Sequence, residues 1–358
     1  MINMENNDFD PKDYEKAFNE TFDEKHEEFE KITNQKLIIS LIGSVNAGKS
    51  STINALTGKN YTEVKARAGW TKNVSLYELS KGIYIADTPG LFDIDSDVSK
   101  KASDFVENTA DVILYFINAA SGMTAHEKKA FQEIDKLGKP VIIVLNKIDA
   151  LDPNERVDVL NQIREEVGYS AIAISSKTGE GVQQLNSEIA KTLETVGKDL
   201  LFLKVSKYKE QSVKKLINIA TGAAGAVGAL PIPGADILLL TGIQTTLALK
   251  IAYVYDFEPS KQDIMKIVAS TVTGNVGKQI TRWAITALKA AGWIPGAQLV
   301  EIATMAVASA VAASMTYAFG WACNVYYKSG MVINLDELSK IFDDLYKKHK
   351  AEMEVQKA

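Results

Sequence analysis

The sequence predicts an α/β fold, a doubly wound and mostly parallel sheet, followed by an all-α domain of apolar helical hairpins. Between Lys36 and about Val196, short apolar runs alternate with stretches of helical periodicity, which is the order of elements in a doubly wound sheet. From Gly197 onward the chain is rich in Ala and Gly, and its apolar stretches are long enough for helices. We therefore expect an acidic N-terminal helix over 1–35, an α/β domain over 36–196 and an apolar helical domain over 197–358 that ends in an amphipathic helix.

The composition excludes several classes of protein. Of the 358 residues, 46% are hydrophobic and 24% are charged, which is ordinary for a chain that buries a core. The net charge of −5 excludes a strongly basic nucleic-acid binder. The single cysteine, Cys323, cannot form an intramolecular disulfide or a cysteine-based zinc site, so we expect a reducing compartment. The first residues lack the basic and apolar segments of a secretory signal, so none is expected.

The N-terminal helix is expected to pack on a neighbour through Phe18, Phe22 and Phe29, which recur at roughly helical spacing. A regulatory arm or a partner helix is the alternative interpretation of this segment. The three histidines, His26, His126 and His349, show no metal-ligand spacing and lie among charged residues, so we expect them to be solvated.

The predicted strands are apolar runs suited to a buried parallel sheet. They are Leu37–Ile42, Ile83–Ala86, Val112–Ile117, Val141–Leu145 and Ala171–Ile174. Residues that start helices stand between these runs, with Thr124 before one helical stretch and Asp152-Pro153 before another. Because ligands bind at the carboxyl ends of the strands in such sheets, the loops that follow the runs form the candidate site.

A glycine-rich loop follows the first apolar run, where Gly43–Ser50 matches G-x-x-x-x-G-K-S and opens a helical stretch. The glycines allow backbone N–H groups and the helix N-terminus to face a phosphate. In such a loop Lys49 reaches the β- and γ-phosphates and Ser50 binds Mg²⁺. The candidate phosphate contacts are Gly43, Ser44, Asn46, Ala47, Gly48, Lys49, Ser50 and Ser51.

A second motif, Asp87-Thr88-Pro89-Gly90, follows the second apolar run. An aspartate at a strand end can hold Mg²⁺ through water, and Gly90 leaves a bare N–H for the γ-phosphate. Alone, this pattern is most often a turn. Its position after the glycine-rich loop makes Asp87 and Gly90 candidate nucleotide-site residues.

Two further motifs predict which base is bound. The segment N-K-I-D ends the fourth run, and the Asp149 carboxylate can accept two hydrogen bonds from the N1–H and 2-amino edge of guanine, a pair that adenine lacks. The segment S-S-K follows the fifth run, where a backbone N–H can donate to the guanine carbonyl. Either segment alone is commonly a polar loop. The candidate guanine contacts are Asn146, Lys147, Asp149, Ser175, Ser176 and Lys177.

These four motifs, in this order and spacing, resemble the translation-factor-related class of P-loop GTPases, and most of all its Era/TrmE-type branch. The resemblance covers about residues 36–196. It implies a small GTP-binding protein domain, or G domain, that binds GTP and GDP with Mg²⁺ and hydrolyses GTP to GDP and phosphate.

The resemblance also marks where this chain departs from the simplest pattern of catalysis. Leu91 stands where some family members carry a glutamine that positions water, so either the chain is similar to the hydrophobic-substituted GTPases or hydrolysis is lost. Asn46 stands where potassium-activated members carry an asparagine, which implies K⁺ as a further cation; alternatively, Asn46 only stabilises the loop. We therefore expect slow turnover that K⁺ and pairing of two G domains increase.

The same resemblance makes Thr71 the Mg²⁺ ligand of the GTP state, because A-G-W-T-K over 68–72 looks like the family's switch segment. Thr62 is the alternative. The candidate catalytic residues are Asn46, Lys49, Thr71 and Gly90, and the candidate metal ligands are Ser50, Thr71 and Asp87.

The helical half contains a weak repeat, Pro231–Ala235 and Trp293–Ala297, each followed by a long apolar stretch. Since Pro-Gly breaks a helix, each unit predicts a hairpin, the first with arms over 218–230 and 237–249 and with Asp236 as a helix cap. This half resembles the YcjF-like domain of unknown function that follows G domains in bacterial GTPases. The final amphipathic helix is expected to place Leu335, Leu338, Ile341 and Leu345 on one face.

Membrane contact is the open question for this half. The run Ile302–Tyr327 carries no formal charge and is long enough to cross a bilayer, and the small residues around Gly222, Gly225 and Gly228 suit close helix packing. The lysine-rich connector over 204–215 suits the cytoplasmic face of a membrane. Against this, Ala, Ser and Gly dominate the run, and the first hairpin has short arms. The sequence allows both a membrane lipid or membrane protein bound through 216–328 and a soluble helical core.

The sequence therefore predicts a cytoplasmic, GTP-controlled switch that couples to the cytoplasmic face of a membrane or to a partner through its helical hairpins. The expected partners are guanine nucleotide and a second G domain. The alternatives are a GTP-dependent scaffold with negligible hydrolysis and a ribosome-assembly GTPase. Nucleic acid is not expected, because no basic or KH-like module follows the G domain.

Overall fold

The computed structural model describes residues 11–60, 66–71, 74–88, 96–229, 235–273 and 298–355. The chain divides into two compact units. The first, which we call the α/β unit, is Lys31–Lys209, and the second, the helical unit, combines Met1–Glu30 with Glu210–Ala358. In sequence, the α/β unit is thus inserted between two parts of the helical unit.

A seven-stranded sheet forms the centre of the α/β unit, in the order β2-β3-β4-β1-β5-β6-β7. Its strands are β1 Leu37–Gly43, β2 Ala66–Thr71, β3 Val74–Ser80, β4 Ile83–Asp87, β5 Val112–Asn118, β6 Val141–Asn146 and β7 Ile172–Ile174. Strands β4, β1, β5, β6 and β7 are parallel, whereas β2 and β3 are antiparallel additions at one edge. The predicted doubly wound, mostly parallel sheet is confirmed.

Helices connect the strands of this sheet. They are α2 Lys49–Thr57, α3 Ser96–Thr109, α4 Ala125–Asp135, α5 Pro153–Val167, α6 Val182–Glu194 and α7 Asp199–Val205. Both predicted helix starts are confirmed. The Thr124 side chain caps α4 by accepting the Glu127 N–H, and the Asp152 N–H before α5 donates to the Glu155 carboxylate at 2.9 Å.

The sequence did not reveal α7, which lies in the segment interpreted as a basic connector. Leu200, Leu201 and Phe202 are almost fully buried, and α7 packs against α6. Because of this packing, the α/β unit continues to Lys209, past the boundary expected near Gly197.

The helical unit contains longer helices than the sequence predicted. They are α1 Pro11–Thr33, whose last residues enter the α/β unit, α8 Lys209–Gly228, α9 Ala235–Val254, α10 Lys261–Thr273, α11 Gln298–Lys328 and α12 Leu335–Val355. Helices α8 and α9 have 20 residues each, so the short arms expected for the first hairpin are wrong. Pro231–Gly234, Trp293–Ala297 and the Asp236 side chain lie outside the described residues.

The N-terminal helix α1 packs within the helical unit, as its aromatic stripe predicted. Phe18, Phe22 and Phe29 are buried, and the Lys261 Nζ lies 2.7 Å from a carboxylate oxygen of Asp23 in α1. The aromatic stripe is therefore the face of α1 that packs against the helical unit.

Two of the three histidines expected to be solvated are instead packed on aromatic rings. The His26 ring stacks on Phe22 at 5.2 Å between centroids, and the His349 ring stacks on Tyr317 at 4.2 Å. His26 also lies 3.0 Å from the Tyr253 hydroxyl. The expectation of solvated side chains is therefore wrong for His26 and His349. Both lie on helix faces that pack against aromatic rings, and the charged residues beside them in the sequence do not indicate this. His126 is exposed, as expected.

The uncharged run Ile302–Tyr327 lies within α11, whose described side chains are largely buried from Ala310 onward. Helix α11 packs against α9 and α12. Where the structure describes the chain, no helix combines the length and the apolar character needed to cross a membrane. The described part of this run therefore packs against protein.

Small residues of α8 allow it to approach α11 closely, as expected for two of the three glycines. A Cβ atom on Gly228 would lie 2.9 Å from the Ala308 carbonyl oxygen, and one on Gly225 would lie 3.5 Å from the Ala313 Cβ. Gly222 has nothing within 4 Å of the same position. Of the three glycines, Gly225 and Gly228 thus lie at a close helix contact and Gly222 does not.

The amphipathic face of α12 differs in part from the predicted one. Leu338 is buried, but Leu335 is 43% exposed at the start of the helix. Phe342 and Tyr346 supply the remainder of the buried face together with Leu338. Ile341 and Leu345 are partly buried, so of the expected stripe only Leu335 is exposed, and two aromatic residues one turn apart add to it.

Candidate functional site

The candidate site lies at the carboxyl ends of parallel strands. The glycine-rich loop follows β1, Asp87 ends β4, Asn146 ends β6, and the segment S-S-K follows β7. Since Leu41 of β1 is in register with Asp87, the glycine-rich loop and the second motif begin on adjacent strands. The parallel register therefore brings segments far apart in sequence to one edge of the sheet.

Two glycines of the loop stand where a side chain would collide with neighbouring groups. Gly43 has φ +145°, and a Cβ atom there would overlap the Phe116 carbonyl. Gly48 has φ +88°, and its Cβ would overlap the Asn146 amide. The backbone can follow this tight path only because both positions lack a side chain.

The Lys49 ammonium is held within the loop, where it donates to the Gly43 carbonyl at 2.9 Å and to the Ser44 carbonyl at 3.1 Å. Burial lowers the pKa of Lys49, while the Asp87 carboxylate opposes that shift. These contacts place one cation at the centre of a loop that otherwise presents backbone groups.

Asn46 lies at the exposed tip of the loop with φ +64°. Asparagine adopts this left-handed conformation more readily than most residues that carry a side chain. The loop geometry by itself therefore accounts for an asparagine at this position, in line with the loop-stabilising alternative.

Asp87 fits a divalent cation site. Its Oδ1 atom is buried and has no hydrogen-bond partner within the described part of the chain, and burial raises the pKa of its carboxyl while Lys49 opposes the shift. Ser50 lies on the first turn of α2. Clusters of three or more acidic, His or Cys side chains do not occur among the described residues. The donors present suit a cation that completes its shell with phosphate and water, as Mg²⁺ does.

Asn146 joins three loops of the site. Its Nδ2 donates to the Ala47 carbonyl at 2.9 Å, and its Oδ1 accepts the Ser176 N–H at 3.1 Å. Its own carbonyl accepts the Ala119 N–H at 2.8 Å. The Asn146 side chain is fully buried, so it fixes the phosphate loop relative to the segment after β7.

Asp149 is oriented by the segment after β7. The Ser175 hydroxyl donates to Asp149 Oδ1 at 2.6 Å, and the exposed Lys177 ammonium lies 3.9 Å from Oδ2. The hydrogen bond from Ser175 is the largest cause that lowers the pKa of Asp149. Lys147 precedes this carboxylate with φ +66°, which turns the chain at the end of β6.

The structure brings together most of the candidate residues but does not describe all of them. Gly90, Leu91 and Thr62 lie outside the described residues. Thr71 is the last residue of β2 and is in register with Val74, but its side chain is also outside that description.

Glu127, a buried residue beside the phosphate loop, was not predicted from the sequence. The Ser44 hydroxyl donates to Glu127 Oε1 at 3.0 Å, which links the phosphate loop to the first turn of α4. The sequence offers only the helix-capping pattern T-x-x-E. This pattern predicts where α4 begins but does not indicate that Glu127 contacts Ser44.

A sheet of this topology, a glycine-rich loop around a lysine, and an aspartate held at the carboxyl edge of the sheet are the features of a P-loop GTPase domain. Residues 38–147 match the family described as "50S ribosome-binding GTPase", and residues 198–351 match the family described as "Domain of unknown function (DUF697)". The expected pairing of a G domain with a helical domain of unknown function is thereby confirmed.

The relatives match about half of this chain. GTPase Der of Persephonella marina is 32% identical over 193 residues, which covers 49% of this chain and 42% of that protein. An Era variant of Aquifex aeolicus bound to GDP.AlF4⁻ is 26% identical, with a TM-score of 0.36 and coverage of 44% and 57% of the two chains. The chain spans less than half the length of the first curated relatives that it matches.

A second Era structure is also similar. Era in complex with MgGDPNP and a segment of 16S ribosomal RNA is 25% identical, with a TM-score of 0.35 and coverage of 44% of this chain and 57% of that chain. Because the family that matches residues 38–147 is described as ribosome-binding, the expectation against nucleic acid is not supported.

Proposed function

We propose that this chain binds GTP and GDP with Mg²⁺ and hydrolyses GTP to GDP and phosphate. The observation that carries the proposal is the Asn146 side chain, which bonds to the phosphate loop and to the segment after β7 at once. These hydrogen bonds support a single site in which the loop after β1 binds phosphates and the Asp149 carboxylate binds guanine. A base lacking the N1–H and amino pair of guanine would leave that carboxylate unpaired.

The proposed roles follow from the chemistry of each group. Lys49 and the N–H groups of the loop bind phosphates, while Ser50, Asp87 and Thr71 are the proposed ligands of Mg²⁺, which supplies charge neutralisation at the phosphates. The Gly90 N–H is proposed to bind the γ-phosphate. Asn146, Lys147, Asp149 and the segment Ser175–Lys177 form the base site.

Turnover is proposed to be slow and to increase with K⁺ and with pairing of two G domains. Leu91 cannot orient water, and Asn46 offers a carboxamide oxygen at the tip of the phosphate loop. Steady-state GTP hydrolysis in matched potassium and sodium buffers over a range of protein concentrations measures this effect. Equal rates in both buffers at all protein concentrations would contradict it.

We further propose that the nucleotide state controls a contact made by the helical unit with a membrane or a protein partner at the cytoplasmic face of the membrane. Lys214 and Lys215, which are exposed in the helical unit, support an acidic surface as the partner. The test is fractionation of the native protein, with carbonate washing of membranes, compared with that of residues 31–209, which lack the helical unit. Membrane association of both chains, or of neither, would contradict a lipid contact through the helical unit.

Ribosome assembly is the second candidate function, favoured by the match of residues 38–147 to a family described as ribosome-binding. Cosedimentation with purified 50S subunits in the presence of GDP or a non-hydrolysable GTP analogue tests it. GTP-dependent cosedimentation supports this candidate, and its absence with both nucleotides opposes it. A scaffold with negligible hydrolysis remains the alternative for either partner, and single-turnover kinetics separate it from a GTPase.

A further inference from the structure

We propose that Glu127 is a positioning residue of the phosphate site, which holds Ser44 and, through Ser44, the loop carbonyl that accepts a hydrogen bond from Lys49. This inference rests on the proposed GTPase function and adds a residue to it. Glu127 is 83 positions from Ser44 in the sequence, and it belongs to the helix after β5 rather than to any of the four nucleotide motifs.

The Glu127 carboxylate is buried and has donors on both oxygen atoms. Its Oε1 accepts the Ser44 hydroxyl at 3.0 Å, and its Oε2 accepts the Thr124 N–H at 3.0 Å and the Thr124 hydroxyl at 2.9 Å. The residue is only 6% exposed. A hydrogen bond to a buried carboxylate is stronger than one between neutral groups, so Ser44 is held more firmly than solvent would hold it.

The backbone at Glu127 is fixed by the core of the α/β unit. The Tyr115 hydroxyl in β5 donates to the Glu127 carbonyl at 2.7 Å, and Tyr115 is fully buried. The Phe131 ring of α4 meets the Tyr115 ring edge-on at 5.4 Å between centroids. Glu127 therefore presents its carboxylate from a rigid helix turn and not from a mobile surface loop.

Ser44 connects this rigid turn to the lysine of the phosphate loop. Its hydroxyl donates to Glu127 while its carbonyl accepts the Lys49 ammonium at 3.1 Å. One residue thus transmits the position of α4 to the loop carbonyl that orients Lys49. Small displacements of such groups lower catalytic rates strongly because the phosphate must be held in a narrow geometry.

The test is a double-mutant cycle on kcat for GTP hydrolysis and on GDP affinity, measured in the full chain. The variants are Ser44→Ala, Glu127→Ala and the double variant, with Ser44→Thr as the conservative replacement that keeps the hydroxyl. Ser187→Ala is the matched control, because its hydroxyl bonds to the Gln183 carbonyl of α6, outside the motif loops.

We expect Ser44→Ala to lower kcat about tenfold without changing the unfolding midpoint. Ser44→Thr should restore the rate, and the double variant should be about as active as Glu127→Ala alone, since the two side chains act through one contact. If Glu127→Ala does not fold, Glu127→Gln takes its place in the cycle, because the amide keeps the size of the side chain but has one acceptor oxygen instead of two. Multiplicative losses in the double variant, or a Ser44→Ala chain with the activity of Ser187→Ala, would overturn the inference.

The same measurements separate this inference from the proposed function. A wild-type chain that neither binds GDP nor hydrolyses GTP above the Lys49→Ala level overturns the proposed function and the inference together. A wild-type chain that is active, with independent effects at Ser44 and Glu127, overturns the inference alone.

Discussion

We propose that base selection depends on Asp149, because its carboxylate is already oriented by the Ser175 hydroxyl at 2.6 Å. An amide at this position would present one acceptor and one donor instead of two acceptor oxygens. Xanthine has a carbonyl where guanine has its 2-amino group, so it can accept a hydrogen bond from that donor.

We expect Asp149→Asn to shift the preference of the chain from GDP toward XDP, as measured by competitive binding of the two nucleotides. Asp152→Asn is the matched control, since Asp152 lies before α5 and asparagine caps a helix as well as aspartate does. Retained preference for GDP in Asp149→Asn would show that this carboxylate does not read the base.

At the residue scale, the motif residues could be predicted because their spacing and their position after apolar runs restrict what they do. Glu127 could not, since its hydrogen bond to Ser44 exists only after β1 and β5 have paired. His26 and His349 could not either, because the aromatic rings beside them belong to helix faces that charged sequence neighbours obscure. Local sequence thus identifies the motif residues at the strand ends better than the residues that support them.

At the scale of elements, strands that are buried on both faces could be predicted from the sequence most readily. The five parallel strands could be predicted because both faces of a parallel sheet are covered, which gives continuous apolar runs. Strand β3 reads V-S-L-Y-E-L-S, with buried and partly exposed residues interspersed, and therefore lacks such a run. Helix α7 has five buried apolar residues but is too short to show helical periodicity.

Two glycines of α8 provide a matched test of close helix packing. Gly228→Ala should lower the free energy of unfolding by about 1–3 kcal/mol, because its new methyl group would meet the Ala308 carbonyl and Ala312 Cβ, each at 2.9 Å. Gly222→Ala should raise it by up to about 1 kcal/mol, since the site is open and alanine favours a helix. Urea unfolding followed by circular dichroism measures both, and equal effects would contradict the α8–α11 contact.

The contact between α11 and α12 should depend on pH through His349, which lies 3.1 Å from the Ser314 hydroxyl. Burial lowers the pKa of His349 below its usual 6.5, although the Glu352 carboxylate opposes the shift. The unfolded chain therefore binds this proton first as the pH falls, so the stabilising contribution is present above about pH 6.5 and is lost below it.

We expect the free energy of unfolding to fall between pH 7.5 and pH 5.5, and to fall less in His349→Gln, which cannot titrate. His126→Gln is the control, because His126 is exposed. The same pH dependence in wild type and His349→Gln would contradict this origin.

At the scale of the whole molecule, the α/β unit is a sequence insertion between α1 and the remainder of the helical unit. The composition showed two kinds of region but not this arrangement, because the Phe stripe of α1 does not reveal its partner. The division also makes residues 31–209, rather than 36–196, the segment expected to fold alone.

We therefore expect a chain of residues 31–209 to unfold cooperatively and to bind GDP. Ending the chain at Val196 removes α7 and uncovers its contact surface, where Leu200, Leu201 and Phe202 are buried. The shorter chain should lose at least about 3 kcal/mol of stability, given about 1.5–3 kcal/mol for burying one large apolar side chain. Equal urea midpoints for the two chains would contradict the boundary at Lys209.

GTP hydrolysis is proposed to take place at the carboxyl edge of the sheet. Single-turnover hydrolysis with enzyme in excess, using GTP and ATP in parallel for wild type and Lys49→Ala, tests it most directly. We expect wild type to form GDP and phosphate from GTP and little product from ATP, and Lys49→Ala to lose GTP hydrolysis. Hydrolysis of GTP by wild type at the level of Lys49→Ala, or equal hydrolysis of ATP, would contradict it.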